Sequence, residues 1–267
     1  MTIFQAIVLG VLQGLAEFLP ISSSAHLALA PWVFGWQDPG LAFDVALHAG
    51  TLVALAWYFR ADWIALLGAG VSILRTRKIR TPIERRLMLL VIASIPGGIA
   101  GKLLNDYAEA AFRAPQLIAI TLMVMGVLLW AADRWGPHER KLNDVTVRDA
   151  VMIGLAQVFA LIPGVSRSGS TMTAGRALGF DRQAAARFSF LMSLPITAAA
   201  VAVKLPEAVH AQRDLMPMMA GIVAAAVSGW LAISVLLKLL ARYSFGAFAL
   251  YRLALGAFVL ALVALRN

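Results

Sequence analysis

No cysteine occurs anywhere in the 267 residues, which excludes disulfides and thiol chemistry. Charge is scarce as well. Only 14% of residues are charged, against about 25% in an ordinary soluble domain. The scarcity is greatest at the start, where no Lys or Arg precedes Arg60 and Glu17 is the only acidic residue before Asp38. The N-terminus has no basic n-region and no cleavage-site pattern, so its first apolar segment is expected to stay in the mature protein rather than leave as a signal peptide. What is abundant is apolar surface: 61% of residues are hydrophobic and the mean hydropathy is +0.81. These values describe a polytopic membrane protein. A net charge of +9 would suggest nucleic acid in a soluble chain. Here the cations lie mostly in links between apolar runs, so membrane orientation accounts for them, and lipid rather than nucleic acid is the expected partner.

A full span needs ~20 apolar residues. The first apolar run, 3–19, stops at Pro20, and the next helix candidate, about 24–35, is short. Two short pieces joined at a Pro/Ser turn predict a re-entrant hairpin over 3–35, allowed at depth only where protein or water covers the broken backbone. Full spans are expected at 41–59, 87–104 and 115–132. A basic loop, 75–86, carries Arg75, Arg77, Lys78, Arg80, Arg85 and Arg86, and Pro96-Gly97-Gly98 marks a kink or close-packing point in the second span.

The pattern then restarts. Gly10-Val-Leu-Gln-Gly-Leu-Ala-Glu-Phe-Leu-Pro-Ile-Ser-Ser is echoed by Gly154-Leu-Ala-Gln-Val-Phe-Ala-Leu-Ile-Pro-Gly-Val-Ser-Arg-Ser, with Gly, Gln, Pro and Ser in the same order. A second hairpin at 149–180 and spans at 183–204, 217–240 and 246–265 follow. The fold class read from this is all-α, with two inverted-topology repeats, 1–135 and 146–267, each a re-entrant hairpin plus three transmembrane helices. Three crossings per repeat turn the second copy upside down, and broken helices then meet near the midplane. With both termini outside, the cytoplasmic stretches 60–86, 133–148 and 238–245 hold seven, four and two Lys/Arg. The outer stretches 31–40, 102–114 and 205–216 hold none, two and one. The bias favours that orientation.

A carboxylate in such a setting is expensive, which makes Glu17 a functional candidate. Ser22, Ser23, Ser24 and His26 follow it with hydroxyl nucleophiles, anion donors and a proton carrier, although serines after a proline also cap helices. The second constellation runs from Pro163 to Thr171. Gly164 lets backbone N–H groups approach an anion, Arg167 offers a planar fork for phosphate oxygens, and Ser166, Ser168, Ser170 and Thr171 cap a helix or donate to phosphate. The competing reading of Arg167 is a buried partner for Glu17 that only holds the repeats together. Facing one another, the two constellations suit phosphoryl transfer, which needs positioning and charge stabilisation; they equally suit transport of an anionic substrate. Asp44 and His48, at i and i+4, are either a mutually bonded pair at a helix start or part of the site.

Together the motifs resemble the bacterial undecaprenyl-pyrophosphate phosphatase (bacitracin-resistance protein) family. Its first motif, Glu or Gln, three residues, then Glu, is matched by Gln13 and Glu17. Its second, Pro-Gly-x-Ser-Arg-Ser-x-x-Thr, is matched by Pro163 to Thr171. Some relatives carry Thr-Gly before the histidine, where this chain has Ser24-Ala25. The resemblance covers essentially the whole chain. It implies hydrolysis of undecaprenyl pyrophosphate to undecaprenyl phosphate, recycling the cell-wall lipid carrier and giving bacitracin resistance, in the bacterial plasma (inner) membrane. It implies a divalent cation, Mg²⁺ or Ca²⁺, with Glu17 as main ligand and Gln13 in place of a second acid. Ser23 maps to the proposed nucleophile, with His26 as base or leaving-group acid, Glu17 as metal ligand or activator, and Arg167 with the 164–171 N–H groups holding the pyrophosphate. A water nucleophile stays open. The partners are an isoprenoid pyrophosphate lipid and membrane lipids, and a homodimer is left open. The active site is expected to open to the outer (periplasmic) side, where both termini lie. The alternative function is an inverted-repeat transporter or flippase for an anionic lipid. The unrelated acid-phosphatase-type lipid phosphatases are excluded: their signature is Ser-Arg, five residues, then His, and at that spacing this chain has Thr173.

Overall fold

The computed structural model describes residues 1–111, 114–135, 139–211 and 215–266. It is all-α among the described residues, with one isolated bridge, Arg140 to Phe180. The helices are α1 (Ile3–Phe18), α2 (Ser23–Phe34), α3 (Leu41–Tyr58), α4 (Arg60–Thr76), α5 (Pro82–Ala111), α6 (Pro115–Arg134), α7 (Val147–Val158), α8 (Arg167–Ala177), α9 (Arg182–Ala211), α10 (Leu215–Leu239) and α11 (Gly246–Arg266). Segments of α5, α6, α9, α10 and α11 are long and apolar enough to cross a membrane. The protein is a multi-pass membrane protein.

One expected span is different. The 41–59 run does not continue straight; α3 turns by 81° into α4. The stretch 60–76, expected to belong to a cytoplasmic connection, is therefore helical, and only 77–81 link it to α5. No Pro or Gly marks the elbow. Phe59 makes it, with φ −97° and ψ 22°, its ring buried against Phe190 at a centroid distance of 6.2 Å. Asp62 in the first turn of α4 is then held by Arg187 of α9 at 2.9 Å. The Pro96-Gly97-Gly98 segment does not break α5, which runs unbroken as a helix through all three residues.

The two helix–break–helix units match in local geometry. In the first, α1 packs on α10; in the second, α7 packs on α5. Both contacts are backbone-close and both depend on glycine. A Cβ at Gly10 would lie 2.3 Å from the Gly221 carbonyl oxygen, and a Cβ at Gly154 2.4 Å from that of Ala93. No Cβ fits at such distances, so the small residues set the helix spacing. At one end of the bundle, buried Asp133 on α6 ties four helices together. It accepts from Arg182 at 2.8 Å, pairs with Arg176 at 2.7 Å and takes the Phe245 N–H before α11 at 3.0 Å.

Candidate functional site

Each unit breaks at a proline-containing turn and restarts on a serine. Helix α1 ends at Phe18, and α2 begins after Ser22, which has φ +77°. Helix α8 begins after Ser166, at φ +72°. A positive φ at a residue with a side chain is strained, and such residues gather at functional sites. Both serines cap their helix: the Ser22 Oγ accepts from the Ala25 N–H at 3.4 Å and the Ser166 Oγ from the Gly169 N–H at 3.0 Å. Both also contact the second serine on, Ser24 at 3.2 Å and Ser168 at 3.1 Å. The residue after each cap, Ser23 and Arg167, therefore occupies the same place, the first position of a helix, where positive partial charge is concentrated.

Those two side chains converge on Glu17. Ser23 Oγ donates to Glu17 Oε2 at 2.6 Å. Arg167 Nη2 donates to Glu17 Oε1. Gln13 Nε2 donates to Oε2 at 3.2 Å, and His48 Nε2 stands 3.6 Å from the same oxygen. Arg167 is braced from α9 by Thr197 Oγ1 at 2.7 Å and the Ser193 carbonyl at 3.2 Å. Glu17 is 7% exposed, so its charge is compensated by the guanidinium and three polar neighbours rather than by bulk water. A pocket of about 260 Å³ opens over the group, lined by Glu17, Ser23, Ser24, His48, Ser166 and Arg167 on its polar side. A hydroxyl in short contact with a buried carboxylate beside a guanidinium is chemically able to act as a nucleophile toward a clamped anion.

Other candidates from the motifs support this site without facing the pocket. His26 is turned away from Ser23: its Nδ1 contacts the Ser22 carbonyl at 2.6 Å and its Nε2 the Tyr251 hydroxyl at 2.7 Å. Both ring nitrogens are engaged, so the structure does not bring a free imidazole to Ser23. Buried Ser22 serves as the cap. Ser168 Oγ donates to the Leu19 carbonyl at 3.1 Å, tying α8 to the first break. Ser170 and Thr171 bond back to the Arg167 carbonyl at 3.1 and 2.7 Å, as hydroxyls on the next helical turn do. The Gly164 carbonyl is held by Arg252. These residues shape the N-terminus of α8; they are not among the residues lining the pocket.

The comparisons with known proteins bear on this arrangement. The family model described as "Bacitracin resistance protein BacA" matches residues 6–258. The chain belongs to this family. Among its relatives, a protein of Gemmatimonas aurantiaca named undecaprenyl-diphosphatase is 61% identical over all of both chains. Proteins with the same name from Moorella thermoacetica, 52% identical over all of both chains, and Pelotomaculum thermopropionicum, 49% identical over all of this chain and 99% of the other, are also similar.

In this BacA-family chain three residues join the site that the motifs did not single out. His48 reaches Glu17, so its site reading stands and its bonded-pair reading is partial: its Nδ1 contacts the Asp44 backbone carbonyl at 2.8 Å. Gln157, noticed only as an echo of Gln13, lines the pocket. Arg252 of α11 is fully buried and donates to four carbonyls: Pro20 at 2.9 Å, Gly164 at 2.6 Å, Val165 at 3.1 Å and Leu122 at 3.1 Å. It stitches both breaks to one helix. A lone arginine inside an apolar span was the available signal.

The donor set also bears on a cation. No group of three or more His, Asp, Glu or Cys comes together among the described residues. Gln13 Oε1, however, is buried beside Glu17 with no hydrogen-bond partner among the described residues. One carboxylate and one orphaned amide oxygen fit a hard cation that takes its remaining ligands from substrate phosphate and water. They do not fit a cation held by protein alone.

Proposed function

We propose that this protein hydrolyses undecaprenyl pyrophosphate to undecaprenyl phosphate and phosphate. The observation that carries the reading is the contact of 2.6 Å between Ser23 Oγ and the Glu17 carboxylate, set against Arg167 in a pocket with an apolar wall. Ser23 Oγ attacks the terminal phosphorus as Glu17 receives its proton. The bond between that phosphorus and the bridging oxygen breaks, and undecaprenyl phosphate leaves. Glu17 passes that proton to the departing phosphate oxygen and is a carboxylate again. It then removes a proton from water, which attacks the phosphoserine; the bond from phosphorus to Ser23 Oγ breaks, phosphate departs, and Glu17 returns the proton to the Oγ. Arg167 and the N-termini of α2 and α8 balance charge on the transferring group. Glu17 and Gln13 Oε1 would hold a divalent cation, which neutralises phosphate charge when bound.

The proposal includes topology. The bias in Lys and Arg supports an outer position for the 31–40 turn. Arg266 at the end of α11 donates to the Trp32 and Val33 carbonyls at 3.0 and 3.3 Å, so the two segments share a face. We place both termini and the pocket opening on the outer side of the bacterial plasma membrane, with two inverted repeats behind it.

The test is phosphate release by detergent-purified protein from C55 and C15 pyrophosphates, with and without chelator. Release that Ser23→Ala abolishes, with milder losses in Ser22→Ala and Ser24→Ala, is expected. Equal small losses at all three serines would point to water as the nucleophile. No release by the intact protein would leave the transport reading in its place. Single cysteines at Gln37 and Thr76 test the topology: an impermeant thiol reagent on spheroplasts should label the first and spare the second.

A further inference from the structure

The pocket has two unlike walls. One is polar, around Glu17, Ser23 and His48. The other, from the turn after α7 and from α9, is formed by Ala160, Leu161, Ile196 and Ala200. A single amide interrupts that apolar side, and it belongs to Gln157, which is 4% exposed. Both of its side-chain polar atoms, Nε2 and Oε1, are buried with no hydrogen-bond partner among the described residues. A buried polar group left unpaired destabilises the fold and requires an explanation. Gln13, at the same place in the first unit, donates to Glu17. The position equivalent to Glu17 in the second unit is Leu161, so Gln157 has no carboxylate to serve. The opposite helix also makes room for it. A Cβ at Gly97 would stand 2.2 Å from Gln157 Nε2, so glycine there lets the amide lie against α5.

We propose that Gln157 is the binding group for the lipid-linked phosphate of the substrate, the one that stays on the isoprenoid after hydrolysis. This rests on the function proposed above. An isoprenyl pyrophosphate is apolar at one end and doubly phosphorylated at the other. Its terminal phosphate belongs at the Ser23–Arg167 side, where the nucleophile is. Its first isoprene unit belongs on the apolar wall. The phosphate between them then lies where that wall carries its only amide, and Nε2 supplies a donor to it. Gln157 thereby distinguishes an alkyl phosphate from a free one.

The experiment uses the purified full chain and its Gln157→Leu variant, with farnesyl pyrophosphate as substrate and farnesyl monophosphate and inorganic phosphate as inhibitors. Leucine removes an unpaired amide in favour of an apolar group of similar size. The substrate-free variant should therefore melt at or above the temperature of the parent. KM should rise about 10- to 100-fold, the loss of one hydrogen bond to a charged group, with kcat within a few-fold. The inhibition constant of farnesyl monophosphate should rise alongside KM, and that of inorganic phosphate should not move. A lower melting temperature with unchanged KM would make the amide structural. Equal weakening of both inhibitors would assign it to the terminal phosphate instead. Either result overturns the proposal. If the parent releases no phosphate at all, the hydrolase reading fails by itself. Calorimetric binding of farnesyl monophosphate to parent and variant then decides on Gln157: undiminished binding in the variant, or none in the parent, rejects the assignment.

Discussion

Replacing Arg252 by methionine should unfasten both helix breaks at once. The side chain is fully buried and methionine fills much of the same volume, so the change removes donors more than packing. Four hydrogen bonds disappear. The Leu122 carbonyl lies within α6 and keeps its helical context. The carbonyls of Pro20, Gly164 and Val165 lie outside helices, and no other donor reaches them among the described residues. A buried carbonyl left unpaired costs about 1–3 kcal/mol. Three of them, partly relieved by relaxation, give a loss of about 4 kcal/mol. For a chain of this size that lowers the melting temperature by on the order of 10 °C. Activity should fall further than stability, because Ser23 and Arg167 each begin the helix after a loosened break. Arg252→Lys, with one point of donation instead of a fork, should fall between. The assays are tryptophan-detected thermal unfolding in detergent and phosphate release at a temperature where the variant is folded. A melting temperature within about 2 °C of the parent, with normal turnover, would refute the argument.

Arg167→Lys should keep the fold and lose about 100-fold in kcat/KM, because one ammonium does not hold Glu17, Thr197 and a phosphate together; near-normal kinetics would remove the clamp role. Gly154→Leu should abolish stable expression or lower the melting temperature sharply, since even a Cβ meets the Ala93 carbonyl oxygen at 2.4 Å; fluorescence-detected size exclusion would report it, and an unaltered profile would contradict the close approach of α5 and α7. Tyr251→Phe should slow phosphate release by less than about tenfold, the loss of one ordinary hydrogen bond to His26. A collapse of activity in that variant would return His26 to the chemistry.

The sequence made the all-α, multi-pass character readable because apolar run length is a one-dimensional signal. Glu17, the run Ser22 to Ser24 and Arg167 could be picked out because polar groups stand out in apolar runs, whereas the choice of Ser23 within its run came from the family resemblance. The elbow at Phe59 was not readable: it is made by a ring packing against Phe190, more than a hundred residues away, and no breaker residue announces it. The direction of His26 was not readable either. Helical spacing from Ser23 allows it to face the pocket, whereas the Ser22 carbonyl and the Tyr251 hydroxyl on α11 hold its two ring nitrogens. His48 needed the distance to Glu17 before its two readings could be separated. Arg252 and Gln157 were within reach of the rule that made Glu17 a candidate, since both are strongly polar side chains in apolar surroundings.

The contact between Glu17 and Arg167 also bears on how the chain is made. The two residues are 150 positions apart, so the carboxylate emerges from the ribosome long before its counterion is synthesised. Until then the first half carries an uncompensated charge that resists entry into hydrocarbon by about 2.5–3.5 kcal/mol. The hairpin holding Glu17 is therefore expected to wait, protonated or at the water interface, and to settle at depth only when α8 arrives. Assembly of the site and completion of the polypeptide become one event. A chain stopped after Arg134 should be degraded or held by the insertion machinery, and Glu17→Gln in that fragment should lengthen its lifetime in pulse–chase labelling. An unchanged lifetime would mean that the waiting half tolerates its charge.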